Sequence, residues 1–220
     1  MNLWMLLIPT VMGSYLLGSI PTGYWIGKLL KGIDIREHGS KSTGATNVLR
    51  TLGKGPAIAV LLVDVFKGVA AVLLARWLFD PAVFAADFSL GSWQPWMMAI
   101  AGLLAVIGHS KSIWIGFTGG KSAATGLGVL FALNWQVGLI VSLVFLTTLG
   151  LSRIVSLGSI LAAISAPLAM LALGQPLPFV LLGLLAGGYV LVTHRANIQR
   201  LAAGQEPKIG QKHQTSRAGE

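Results

Sequence analysis

The sequence predicts an all-α membrane protein: a polytopic helical bundle of about seven transmembrane segments, with the N-terminus outside and the C-terminus in the cytoplasm. Three observations predict it. The 220 residues are 54% hydrophobic and only 10% charged, with a mean hydropathy of +0.75, far from the balance of a water-soluble domain. Several uncharged stretches approach the roughly 20 helical residues that cross about 30 Å of hydrocarbon. The cations gather in alternate connecting segments, as the positive-inside rule requires of cytoplasmic loops.

The segments fall at about 3–26, 55–79, 93–108, 123–135, 136–151, 155–173 and 177–193. The first lacks a basic leader and a small-residue cleavage site, so it reads as a retained helix rather than a signal peptide. Residues 27–54 carry Lys28, Lys31, Arg36, Lys41, Arg50 and Lys54, whereas residues 80–92 carry Asp80 and Asp87 and no cation. These two connections therefore lie on opposite sides, the first of them cytoplasmic.

The uncharged run from Ser122 to Ser152 fits either one long helix or two short ones folded back at Asn134-Trp135-Gln136. One helix would strand Arg195, Arg200, Lys208, Lys212 and Arg217 outside. Two bring them back, leaving only Lys67 and Arg76 of the sixteen Lys and Arg within a span. The folded-back reading is adopted, with the two short segments tilted or shielded by neighbours. Residues 1–208 read as one domain and 209–220 as a mobile polar tail. No internal repeat of the kind common in secondary transporters is visible.

A net charge of +9 is explained in so apolar a chain by orientation in the bilayer, and no nucleic-acid partner is expected. The absence of cysteine excludes disulfides, thiolate metal sites and a cysteine acyl-enzyme. No histidine shows metal-ligand spacing, so neither a metal nor a cofactor is indicated.

Three polar segments carry most of the reactive groups, each beside a span on the side assigned as cytoplasmic. Residues 39–50 combine Gly39, Ser40, Lys41, Thr46, Asn47 and Arg50; small residues, hydroxyls and a guanidinium suit an anion. Residues 108–126 contain His109 and then Gly119-Gly120-Lys121-Ser122. The latter resembles the end of a nucleotide P-loop, but the full pattern needs glycine where Ile115 stands, and ATP binding is rejected. A glycine turn opening a helix still offers N–H groups and a positive dipole end to an anion. The third segment holds His194, Asn197 and Arg200, and helical geometry would put His194 and Asn197 on one face. Within the second span, Asp64 and Lys67 are spaced to form an ion pair. Ser156 and Ser159, one turn apart at the start of the sixth span, are placed to hold a hydroxyl or phosphate.

Together these segments resemble the signature regions of the bacterial acyl-phosphate:glycerol-3-phosphate acyltransferases, the PlsY family. The resemblance runs from Gly18 to Lys208 and is carried by Gly18-Ser19-Ile20-Pro21-Thr22-Gly23, Gly44-Ala45-Thr46-Asn47 with Arg50, Asp64 with Lys67-Gly68, Gly108-His109, Gly119-Gly120-Lys121 with Thr125-Gly126, and His194-Arg195 with Asn197. It departs at Lys41-Ser42, Lys111-Ser112-Ile113, Ser122 and Ala196. What it implies is transfer of a fatty acyl group from acyl phosphate to the 1-hydroxyl of glycerol 3-phosphate, giving lysophosphatidic acid and phosphate at the cytoplasmic face of the bacterial inner membrane. Ser40, Arg50, His194 and Asn197 become the expected catalytic residues. Thr46, Asn47, His109, Gly119, Gly120, Lys121, Ser156 and Ser159 become the expected substrate-binding ones. Expected partners are the two substrates, membrane lipid and the enzyme that makes acyl phosphate.

Acyl phosphate is a mixed anhydride with a good leaving group, so no covalent intermediate is needed. The protein must hold two anions together and see a proton removed from the attacking hydroxyl. Either His194 or a substrate phosphate can take that proton. The His-x-x-x-x-Asp arrangement of thioester-using glycerolipid acyltransferases is absent, since the fifth residues after His38, His109, His194 and His213 are Thr43, Trp114, Gln199 and Ala218. The rival reading is a transporter of a phosphorylated metabolite, whose cations would bind the same anion.

Overall fold

The computed structural model describes residues 4–83 and 88–210, with backbone alone for residues 88–91. Ala85, Asp87 and the tail beyond Gly210 lie outside the described residues. Those residues form ten α-helices: α1 Trp4–Ser19, α2 Thr22–Lys31, α3 Ala45–Thr51, α4 Lys54–Leu78, α5 Phe88–Ser110, α6 Ala123–Leu133, α7 Trp135–Ser152, α8 Val155–Ala172, α9 Leu177–Thr193 and α10 Arg195–Ala202. Among them there is no strand, only an isolated antiparallel bridge between Ser112 and Thr118.

Among the described residues, four helical stretches are long and apolar enough to cross a membrane: 4–31, α4, α7 and α8. The bent pair α9 and α10 would make a fifth. Helix length and composition among the described residues thus mark four to five of the seven expected spans. At 11 residues, α6 is about 16 Å long and by itself covers only about half of a 30 Å hydrocarbon core. The expected first span, 3–26, is interrupted at Ile20-Pro21, because proline supplies no N–H to the ladder. Its continuation α2 runs on to Lys31 and ends at Gly32 with φ 65. Residues 27–54, expected as a connecting segment, hold the end of α2 and all of α3.

The chain does fold back at Asn134. That residue is extended, and its side-chain oxygen accepts from Gln136 N and Val137 N, which caps α7. Gly138 then packs directly on the Phe131 ring. Glycines also set the closest helix crossings, where small residues let backbones touch. A Cβ on Gly68 would lie 2.2 Å from Thr125 O and one on Gly128 1.9 Å from Val65 O, fixing α4 against α6. Gly18 and Gly108 meet Ala105 O and Tyr15 O in the same way, fixing α1 against α5.

The main core is built by α1 and α4 to α9 around Leu6, Val72, Val106, Val129, Val137 and Met170. A smaller cluster of Ile35, Val48, Ala57 and Val60 anchors the segment between α2 and α3 onto α4. Ile35, Val48 and Val60 are fully buried, each contributing about 1.5–3 kcal/mol if this cluster faces water when unfolded.

Candidate active site

The loop between α2 and α4 is shaped by one side chain. Asn47, in the first turn of α3, accepts from Ser40 N at 2.8 Å and directs its amide nitrogen to the carbonyls of Ile35, His38 and Ser42 at 3.0, 3.0 and 2.8 Å. Its two N–H donors are thus shared among three acceptors. Asn47 itself lines the cavity, though its amide donors are engaged within the loop rather than left free. The amide curls the loop, helped by positive φ at Gly39 and Lys41, and so places Ser40, Ser42, Thr46 and Arg50 on a cavity wall.

The turn before α6 gives a second wall. Lys121 and Ser122 line the cavity, whereas Gly119 and Gly120, expected to bind substrate, do not. They pack against His109 instead: a Cβ on Gly119 would lie 2.2 Å from His109 O, and one on Gly120 2.0 Å from His109 Nε2. Lys121 bonds to Asn197 Oδ1 through its ammonium, and its carbonyl accepts from Thr193 Oγ1 at 3.1 Å. Ser122, at φ 65, donates to Val106 O at 2.6 Å.

The third wall forms where α9 meets α10 at 63°. His194 sits at that corner, 4% exposed, with Nδ1 2.8 Å from Val190 O. Donation to that carbonyl fixes the tautomer that leaves Nε2 as the basic nitrogen. Burial pushes the His194 pKa down, and nearby Lys121 adds to this; the Val190 bond and Glu206 oppose it without reversing it. Burial also lowers the Lys121 pKa, assisted by Arg200 and Arg50 and opposed by Glu206.

Glu206 was not assigned a role from sequence, yet it organises this corner. Its Oε1 accepts from Ser156 Oγ at 2.7 Å and Asn197 Nδ2 at 2.6 Å, and its Oε2 from Arg200 Nε at 2.7 Å. Burial alone would raise its pKa, but the bonds from Asn197, Ser156 and Arg200 hold it below the usual value. The expected substrate contacts of Ser156 and Asn197 are therefore occupied by this carboxylate. Ser159 donates to Val155 O at 3.1 Å and still lines the cavity. A lone acid in a polar stretch gives no spacing signal, which is why the sequence did not single Glu206 out.

These walls enclose one cavity of about 250 Å³. Its polar end collects Ser40, Arg50, Lys121, His194, Asn197 and Arg200. The remainder is apolar: Ala162 and Ala166 of α8, Leu182 and Ala186 of α9, and Leu127 and Leu130 of α6. Lining residues on α8 run from Val155 to Ala166, a depth of about 16 Å at helical rise. Asp64 and His109 contribute a buried polar patch to one side. The expected Asp64–Lys67 pair is present at 2.9 Å. The observed His109 is 6% exposed and lies 3.5 Å from Asp64 Oδ1.

The glycerol-3-phosphate acyltransferase family profile matches residues 8–204. The chain is 56% identical to the glycerol-3-phosphate acyltransferase of Trichormus variabilis over 217 residues, covering 96% of each. It is 55% identical to glycerol-3-phosphate acyltransferase 2 of Rhizobium johnstonii, covering 90% of this chain and 93% of that one. Among solved structures it is similar to PlsY (YgiH), an integral membrane glycerol 3-phosphate acyltransferase, in its glycerol 3-phosphate form. The TM-score is 0.82 at 38% identity, covering 93% of this chain and 96% of that chain. The lysophosphatidic acid form of the same protein superposes with a TM-score of 0.80. With its three signature segments meeting around one cavity, the chain belongs to the glycerol-3-phosphate acyltransferase (PlsY) family of integral membrane enzymes.

Proposed function

We propose that this protein transfers an acyl group from acyl phosphate to the 1-hydroxyl of glycerol 3-phosphate, at the cytoplasmic face of a bacterial inner membrane. The observation that carries the reading is the division of one cavity into a cationic end and an apolar trough. Arg50, Lys121 and Arg200 around one end suit two phosphate groups. The trough suits the hydrocarbon of a donor whose carbonyl must sit at the boundary between the two regions.

Held there, the glycerol hydroxyl attacks the acyl carbonyl. A C–O bond to glycerol forms, the C–O bond to phosphate breaks, and inorganic phosphate leaves with its electron pair. The hydroxyl proton passes to His194 Nε2, whose partner nitrogen is held by Val190 O. Lys121 and Arg50 neutralise the phosphates, and Ser40 and Thr46 line the donor side. Glycerol 3-phosphate would displace Glu206 from, or join it at, Ser156 and Asn197. The acyl phosphate would come from the enzyme that makes it, through the membrane lipid. A transporter of a water-soluble phosphorylated metabolite would need a polar path onward, whereas past Ser159 the lining turns apolar. Residues 1–208 act as one domain on this reading, crossing the bilayer seven times with α6 and α7 as a shielded hairpin.

The test is incubation of purified protein with acyl phosphate and glycerol 3-phosphate. Lysophosphatidic acid and phosphate in equal amounts are expected. Arg50→Ala and Lys121→Ala should each remove a charge-assisted contact worth about 1.5–3 kcal/mol, or one to two decades in kcat/KM. Absence of the product, or unchanged kinetics in both variants, refutes the assignment.

A further inference from the structure

We propose that His109 is a positioning residue: through a buried chain of polar contacts it sets the turn that carries Lys121. This rests on the reading of Lys121 as a phosphate ligand. The chain starts at the α1–α2 break, where Lys67 Nζ donates to Ile20 O at 2.9 Å. Lys67 pairs with Asp64 Oδ1 at 2.9 Å, and the same oxygen accepts from Thr22 Oγ1 at 3.4 Å and lies 3.5 Å from His109 Nδ1. His109 O then accepts from Gly120 N at 3.1 Å, and the His109 ring forms the surface on which Gly120 rests.

Asp64 and Lys67 are 2% and 3% exposed, and as a pair they balance each other's charge. A third buried titratable group is unnecessary for that balance, and such groups are rarely kept without a role. What His109 adds is a link from the pair to the turn. Lys121 follows Gly120 directly, and its own contacts to Thr193 and Asn197 hold the turn only from the α9–α10 side. The imidazole holds it from the opposite side. His109 is only 6% exposed and its ring fills the place a Cβ on Gly120 would take, which separates its role from the substrate contact expected of it.

The experiment is a double-mutant cycle between His109→Ala and Lys121→Ala, read as kcat and KM for glycerol 3-phosphate and for acyl phosphate. With wild-type Lys121, loss of the ring should lower kcat/KM by roughly 100-fold, the scale of a misplacement of about 1 Å. In the Lys121→Ala background the same change should lower it by less than about threefold, because there is no ammonium left to misplace. Gly120→Ala provides a second route, since it pushes on the ring from the turn without deleting a buried group. It should reproduce the His109→Ala kinetics while leaving the protein in the membrane. If His109→Ala keeps its full effect when Lys121 is already gone, the histidine only stabilises the bundle and the positioning role is wrong. If Gly120→Ala is kinetically silent, the packing argument fails. If Lys121→Ala alone leaves KM and kcat unchanged, the phosphate-ligand reading itself falls, independently of His109.

Discussion

His194 occupies the corner between two helices, and that position sets its chemistry. Val190 O fixes the tautomer, and burial keeps the ring neutral to lower pH than usual. A base whose pKa is depressed stays competent until the pH falls through that lowered value. The acidic fall in kcat should therefore lie below the ordinary histidine value of about 6.5. His194→Gln keeps a polar end and cannot act as a base, so kcat should drop by roughly two to four decades and lose the inflection. Profiles of kcat against pH for both proteins decide the matter. An inflection that persists in the Gln variant assigns the proton to a substrate phosphate, which titrates near pH 6. At this scale the sequence disclosed which residues gather at the site, because Ser40, Arg50, Lys121 and His194 sit in dense polar segments. It could not disclose that Asn47 has no free donor, since that depends on three carbonyls supplied by the folded loop.

Between elements, the two loops that carry Ser40 and Lys121 are tied by Arg36. Its guanidinium bonds Asp34 below α2 and reaches Ile115 O at 2.8 Å and Thr118 Oγ1 at 2.9 Å before α6; it also lies 5.0 Å from the Tyr24 ring centroid. Side-chain bonding to Arg36 lowers the Asp34 pKa to about 2. A depressed carboxylate pKa contributes above its ordinary value of 3.8 and is lost as pH falls toward about 2. The tie is therefore complete throughout the neutral range. Arg36→Ala should raise KM for the phosphate-bearing substrates several-fold, a modest effect because the group is partly exposed. Arg36→Lys should not restore it, since a point charge cannot reproduce the planar fork. A KM at the wild-type value in Arg36→Ala would show the loops to be independent. The sequence displayed Arg36 only as one of six cations, because a contact across 79 residues leaves no local pattern.

For the molecule as a whole, charge distribution proposes a cytoplasmic site and an even return of the chain through the α6–α7 hairpin. The chain contains no cysteine, so single substitutions can be labelled without background. Ala82→Cys and Gln136→Cys should react with an impermeant reagent from outside, and Ser42→Cys and Ala203→Cys only after the inner face is opened. Outside labelling of Ala203→Cys would mean that α6 and α7 do not form a returning pair. Helix positions were largely legible, since apolar runs and their polar breaks mark α4 and α7 to α9 to within a few residues. The kink at Ile20-Pro21 and the shortness of α6 were less so. A hydropathy window averages across the proline break, and the close seat of α6 on α4 at Gly68 and Gly128 is made by contacts distant in sequence.

The bonds of Glu206 impose an order on biosynthesis. Ser156 and Asn197 enter the membrane or its surface first, and their carboxylate partner emerges from the ribosome after all ten described helices. Until then the cationic corner lacks its counter-charge, with Lys121 and Arg200 facing each other across it. A nascent chain ending before residue 206 would have its helices and no finished site. Glu206 is thus the closing piece of the active centre, and the enzyme becomes competent only once that residue has left the ribosome and reached Ser156 and Asn197.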